Sequence, residues 1–305
     1  MTVFFQQIIN GLSLGGIYAL IALGYTMVYG IIELINFAHG DVYTLGTFFS
    51  LAILAGLGVS GEVHGLQLVA VVLVTMLAAM LLCGIVGVLI ERLAYRPLRN
   101  APRLAPLITA IGMSFILENV MQLWHGPSPI PFPEVMPNPS FRFAGVDVSA
   151  KQMAVIALAV ILMLALQTFI YKTKLGKAMR ATAQDRDAAQ LMGININTTI
   201  AVTFLIGSAL AGAAGFVSGV YYGTTWFFNG FEAGLKAFTA AVLGGIGNVA
   251  GAMLGGFSIG LIEAIATQYI PQGEQWSNVV VFSVLVLVLI FRPSGLLGES
   301  LPEKV

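Results

Sequence analysis

Leu68–Ile90 reads LVAVVLVTMLAAMLLCGIVGVLI, 23 consecutive residues without a charge. A helix needs about 20 apolar residues to cross the hydrocarbon core of a bilayer, and it satisfies its backbone donors and acceptors internally, as lipid demands. Met153–Ile170 and Val279–Phe291 are uncharged in the same way. The whole chain of 305 residues is 58% hydrophobic and only 9% charged, against about 25% charged in an ordinary soluble domain. These runs define an all-α, polytopic integral membrane protein.

Working outward, spans are expected at about 6–29, 41–57, 66–91, 105–124, 152–171, 199–221, 249–270 and 276–292, about eight in all. Only 125–150 and 172–198 leave long linkers, so residues 1–305 read as a single transmembrane domain. The first stretch carries Asn10 and no convincing cleavage site, and is expected to stay as a helix. Cys83 is the one cysteine and sits inside an apolar run, where it reads as a small hydrophobe.

Net charge is zero, but nine of the 14 Lys and Arg residues fall in two segments. These are Arg92, Arg96, Arg99 and Arg103, then Lys172, Lys174, Lys177, Arg180 and Arg186. Positive loops stay in the cytoplasm, so both segments face inward. The loop 125–150, with six prolines and few cations, faces outward. Parity then puts the amino terminus and Tyr222–Gly234 outside. Arg292 draws the chain after the last span inward, which requires an odd number of crossings after residue 234, whereas the simple spans supply an even number. A broken or re-entrant element over Lys236–Asn248 (KAFTAAVLGGIGN), turning at Gly244 and Gly245, removes the conflict. Irregular backbone at membrane depth must be covered by protein or line a cavity, so Gly244, Gly245 and Asn248 become candidate pathway residues.

Glycines recur at close spacing in the first span (Gly11, Gly15, Gly16), the sixth (Gly207, Gly212, Gly215, Gly219) and the seventh (Gly251, Gly255, Gly256, Gly260). Small residues let helix backbones approach in lipid, and packing alone accounts for them.

Ionisable groups inside spans are costly and need protein, water or each other as neighbours. In GIIELINFAHGDVYTLG (30–46), Glu33, Asn36, His39 and Asp41 interrupt two apolar helices. They fit either a cytoplasmic turn capped by Asp41 or Asn36, or an unwound point within the membrane lining a pathway. The apolar neighbours Ile35, Phe37 and Ala38 favour the second. Glu118 and Glu263 also lie within spans and have no partner nearby in sequence; each fits a pathway carboxylate or a buried hydrogen-bonded pair. The aromatics Tyr221, Tyr222, Trp226, Phe227 and Phe228 fit an interfacial belt.

Some chemistries are excluded. His39, His64 and His125 are the only histidines, so no metal site or cofactor is expected. No phosphate-binding loop is present: Gly176-Lys177 lacks the upstream glycine and is followed by alanine. No serine and histidine form a nucleophilic arrangement. The chain is no enzyme by this reading and carries no engine for hydrolysis.

The segment LGKAMRATAQDRDAAQLMGININ (175–197) is rich in alanine, leucine and methionine, which favours one continuous helix ending at Gly193, with Asn197 or Thr198 capping the next span. Ala181, Ala188 and Met192 share a face with Ala189 beside them, while Lys177, Arg180 and Arg186 lie opposite. Small side chains suit docking in a partner's groove, with the charges setting orientation. The alternative is a helix lying on anionic lipid, which Asp185 and Asp187 disfavour.

Asp187-Ala188-Ala189, three further residues and Gly193 resemble the E-A-A-x-x-x-G loop of ABC importer permeases, with Asp where Glu is usual. ELINFAHGDVYTLG (33–46) and GGIGNVAGAMLGG (244–256) resemble the LivH-type permeases of branched-chain amino acid ABC transporters, and the likeness runs from NGLSLGGIYALIALG (10–24) to RPSGLLG (292–298). The resemblance implies an ABC importer permease fold in a bacterial inner membrane. It implies a coupling helix docked on a cytoplasmic ATPase, with Arg180, Asp187, Ala188, Ala189 and Gly193 in the coupling site. Its partners would be a second, related permease, two ATP-binding subunits and a periplasmic binding protein delivering leucine, isoleucine or valine. Similar permeases carry urea, short amides or other amino acids. The reading from residues alone also keeps open an ion-coupled secondary transporter, with Glu33, Asp41, Glu118 and Glu263 as its path.

Overall fold

Backbone groups in hydrocarbon must be bonded within the protein, and the computed structural model of the chain meets this with eleven helices among its described residues. These are residues 2–99, 101–102, 104–143 and 145–298; Arg103 lies outside them. The helices are α1 (Thr2–Ile32), α2 (His39–Gly56), α3 (Gly65–Ile90), α4 (Leu104–His125), α5 (Ala150–Lys172), α6 (Lys174–Gln184), α7 (Arg186–Leu191), α8 (Ile196–Tyr222), α9 (Asn229–Gly244), α10 (Val249–Tyr269) and α11 (Gly273–Phe291). Seven of them are long and apolar enough to cross a membrane, counting α3 with the π-helical and 3₁₀ turns that carry it to Leu98. The stretch expected as a span at 41–57 is helix α2, which is not among those seven, so seven rather than eight helices meet the requirement; its first turn holds His39, Gly40 and Asp41.

Helices α1, α8 and α10 form the centre and are mostly buried, while α3, α4, α5 and α11 turn much of their apolar surface outward. The centre is held by close backbone approach. A Cβ on Gly15 would lie 2.6 Å from the Phe257 Cα on α10, and one on Gly46 would lie 2.7 Å from the Gly212 Cα on α8. Alongside, the Thr47 hydroxyl donates to the Gly215 carbonyl at 3.0 Å, and Tyr43 and Ser218 share a bond at 2.5 Å. Gly46→Leu is expected to destabilise the fold by about 1–3 kcal/mol through overpacking, read as a lower unfolding temperature in detergent. An unchanged transition would show that α2 can leave α8 at no cost.

The proline-rich loop, expected to face outward, folds down onto the helix ends. β1 (Ile130–Pro131) pairs antiparallel with β4 (Thr224–Thr225), and β2 (Ser140–Phe143) with β3 (Val146–Ser149). Phe132 and Val135 are buried, Phe132 against Gly219. On the inner side, the turn after α11 bonds the end of α9: Leu296 N–H to the Leu243 carbonyl at 2.8 Å and Leu297 N–H to the Gly244 carbonyl at 3.0 Å. The stretch expected to hold a broken element is the short helix α9, which begins after strand β4, seven residues earlier than expected, and ends at Gly244. Its 16 residues span about 24 Å, short of the roughly 30 Å core. Of the three helices that follow β4, α10 and α11 are among the seven long and apolar enough to cross a membrane.

Candidate functional site

The inner segment 172–198 is two helices rather than the one expected. Asp185 adopts extended backbone (φ −157°), and its carboxylate accepts the N–H groups of Asp187 and Ala188 at 3.0 Å each. A capping aspartate thus ends α6 and starts α7, overriding the helix preference of the alanines around it. Gly193 stops the segment at φ +83°, as expected. Asn195, not Asn197 or Thr198, caps α8, accepting from Thr198 N–H at 3.1 Å.

This break changes which residues face outward. Ala189 is 4% exposed and packs against its own chain, so it cannot belong to a docking face. Arg180 is exposed and tied back to its own chain: it donates to the Ile170 carbonyl at 3.0 Å and its guanidinium lies 4.9 Å from the Tyr171 ring centre. The open face of α7 carries Asp187, Ala188 and Gln190, followed by Leu191 and Met192 at 88% and 83% exposed. Two large apolar side chains exposed side by side mark an interaction surface. The sequence places Met192 on the small-residue face with Ala188, whereas nothing ranks Leu191 above its neighbours, since the face depends on where Asp185 restarts the helix.

Arg186 joins α7 to the membrane domain, donating to the Ile31 carbonyl in the last turn of α1 at 3.1 Å. A cation at a helix C-terminus satisfies an orphan carbonyl and meets the negative end of the helix dipole. A cleft of about 400 Å³ lies beside this contact, lined by Ile32, Glu33, Leu34, Arg99 and residues 182–187. Arg99 pairs with buried Glu91 and donates to Asn197 at 2.6 Å, closing the other side of the loop.

The constellation at 33–41 is divided by the fold. Glu33 is exposed in this inner cleft, in left-handed backbone (φ 55°). From there the chain folds back, and α2 starts alongside α1 rather than beyond its end. The His39 ring donates through Nε2 to the Ile21 carbonyl at 3.2 Å. Ile21 lies eleven residues before the end of α1 at Ile32, about 16 Å along the helix. Asn36, His39 and Asp41 are buried there, and the Tyr95 hydroxyl donates to Asn36 Oδ1 at 3.2 Å. Ser114 donates to one oxygen of Asp41, and Glu118 lies one turn further along α4. The other Asp41 oxygen, Glu118 Oε1, His39 Nδ1 and Asn36 Nδ2 have no partner among the described residues. Buried groups left this way point to water or to a second state in which they are satisfied.

Gly244, Gly245 and Asn248 build a tight inner turn. Gly244 packs on the backbone of Gly251 and Ala252, Gly245 (φ +104°) packs on Gly298, and Asn248 caps α10 by accepting from Gly251 N–H at 2.9 Å. Their roles here are packing and capping. Glu263 has partners that its own neighbourhood in sequence did not reveal. It accepts from Lys236 Nζ at 2.7 Å and from the Tyr18 hydroxyl at 2.8 Å, and Lys236 also binds Glu232 at 2.8 Å. Lys236 is the residue that sequence reading passed over, although Glu232 four residues before it is a helix-pair signal.

Seven helices of membrane length around a centre that holds buried polar groups define a multi-pass membrane protein. The chain belongs to the family described as branched-chain amino acid transport system, permease component, whose model matches residues 7–289. It is 44% identical over 310 residues to the high-affinity branched-chain amino acid transport system permease protein BraD of Pseudomonas aeruginosa, covering 99% of this chain and 98% of that one. It is 45% identical over 307 residues to the corresponding LivH of Escherichia coli K12, with the same coverage. A probable branched-chain amino acid transport permease, LivH of Methanocaldococcus jannaschii, is 27% identical over 301 residues, covering 92% and 88%. The protein is therefore an inner-membrane permease of an ABC-type import system.

Proposed function

We propose that this chain is one of two related membrane subunits of an ATP-driven importer for leucine, isoleucine and valine, receiving its cargo from a periplasmic binding protein. Residues 1–305 act as one permease domain, with 125–150 meeting the binding protein outside and 172–198 meeting one of two ATPase subunits inside. The observation that carries this reading is the open apolar face of α7, held by Arg186 to the end of α1. Asp187, Ala188 and Gly193 shape this docking element, and Leu191 and Met192 anchor it.

ATP-driven closure of the motor pair would pull α7, and through Arg186 the end of α1. Next to that end lies the Glu33–Ala38 connection to α2, and beyond it the polar group of Asn36, His39, Asp41 and Glu118. This is how a cytoplasmic stroke reaches side chains inside the membrane. Arg186→Gln is expected to cost about 1–2 kcal/mol at the α1 junction and to lower uptake while ATPase binding persists. Wild-type transport per ATP hydrolysed in that variant would remove the clamp from the mechanism.

The direct test is to co-purify the products of neighbouring genes and measure binding-protein-dependent uptake across branched-chain amino acids, other amino acids, urea and short amides. Leucine, isoleucine and valine should move and urea should not. Uptake confined to urea or amides would reject the substrate class and leave the importer class standing.

A further inference from the structure

On the outer side, a cleft of about 320 Å³ opens between α1, α9 and α10, lined by Tyr18, Tyr43, Tyr222, Glu232, Lys236 and Glu263. Its volume falls at the lower end of small-molecule sites, roughly 300–1,000 Å³. Two carboxylates share one ammonium here, so the ionised cluster carries an excess negative charge. The two carboxylates differ in exposure. Glu263 is engaged on both oxygens, by Lys236 and by Tyr18. Glu232, whose side chain is 56% exposed, gives Oε1 to Lys236 and Asn278, while its Oε2 takes no hydrogen bond among the described residues.

A negative cleft suits a small organic cation, since an open carboxylate attracts an ammonium group. Of its tyrosines, Tyr222 is exposed, whereas Tyr18 and Tyr43 are buried and the Tyr18 ring already lies 5.9 Å from Lys236 Nζ. Ile17 and Ala233 add apolar wall beside it. We propose that this cleft is an entry subsite for the α-ammonium group of the incoming amino acid, with Glu232 Oε2 as acceptor and the Lys236–Glu263 pair holding α9 and α10 in register beneath it. The proposal rests on the reading of the chain as an amino acid permease. It adds the place and the chemical group by which cargo is first held once it leaves the binding protein.

The test uses the assembled importer in nanodiscs. Thr224→Cys places a thiol at the exposed rim of the cleft, while native Cys83 is buried and silent toward a membrane-impermeant maleimide. Leucine is expected to slow alkylation at this thiol. 4-Methyl-2-oxopentanoate, which keeps the side chain and carboxylate but lacks the ammonium, is expected not to. Adding Glu232→Gln should raise the leucine concentration for half-protection about tenfold, the loss of one charge-assisted bond, while the variant still assembles with its ATPases. Equal protection by the oxo acid, or unchanged protection in Glu232→Gln, overturns the subsite. Absent protection in an importer that still carries leucine also overturns it and leaves the permease reading intact; an importer that carries no amino acid fails that reading instead.

Discussion

Lys236→Met should destabilise the protein by about 3–5 kcal/mol, the cost of leaving a buried partner charge uncompensated. The side chains of Lys236 and Glu263 are 6% and 12% exposed, and their bond ties the short helix α9 to α10 and, through Tyr18, to α1. Removing the ammonium leaves Glu263, at the wall of the cleft and only 12% exposed, with a phenol hydroxyl as its one partner among the described residues. Lys236→Met with Glu263→Met removes both charges, and most of the loss should return, because an apolar pair of similar size is often neutral in such a site. Glu232→Gln should cost less than about 1 kcal/mol, since that carboxylate is largely solvated. Thermal unfolding of the purified variants in detergent checks all three. A double variant as unstable as the single one would mean that the pair fixes α9 through geometry rather than charge balance.

The second large effect lies on the inner face. Leu191→Asp with Met192→Asp should abolish association with the ATPase subunits and uptake with it, while the membrane domain keeps its unfolding temperature. Anchors at the centre of an interface each contribute about 2 kcal/mol or more, so two of them account for a loss of roughly a thousandfold in affinity. The two side chains are almost fully exposed, and no internal packing is lost when they are changed. Ala189→Arg should instead disturb the loop itself, because Ala189 is buried against its own chain. Retention of the ATPases by the double aspartate variant in a pull-down would remove α7 from the docking surface.

Most of the helices were legible in the sequence because each follows from a local property: uncharged runs of membrane length set the spans. The need for a broken element after residue 234 came from counting crossings, and the stretch expected to hold it is the short helix α9. Which helices lie at the centre was not legible: α1 is buried on most of its surface while α3 faces outward, yet both are apolar all round. The polar sites were legible as residue types and not as partners. Glu263 finds Lys236 only because α9 packs on α10, and Asp41 finds Ser114 only because α2 packs on α4. At 172–198, summed helix propensity pointed to one helix, and a single aspartate capping two N–H groups divided it. That one break turned Ala189 inward and Leu191 outward.

The most direct test of the permease reading uses proteoliposomes that contain either this chain alone or the chain with its partner permease and ATPases. Leucine uptake is expected only in the complete assembly, and only with ATP inside and loaded binding protein outside. Accumulation of leucine by the chain alone, driven by a proton or sodium gradient, would contradict it and turn Asp41 and Glu118 into the path of a secondary transporter.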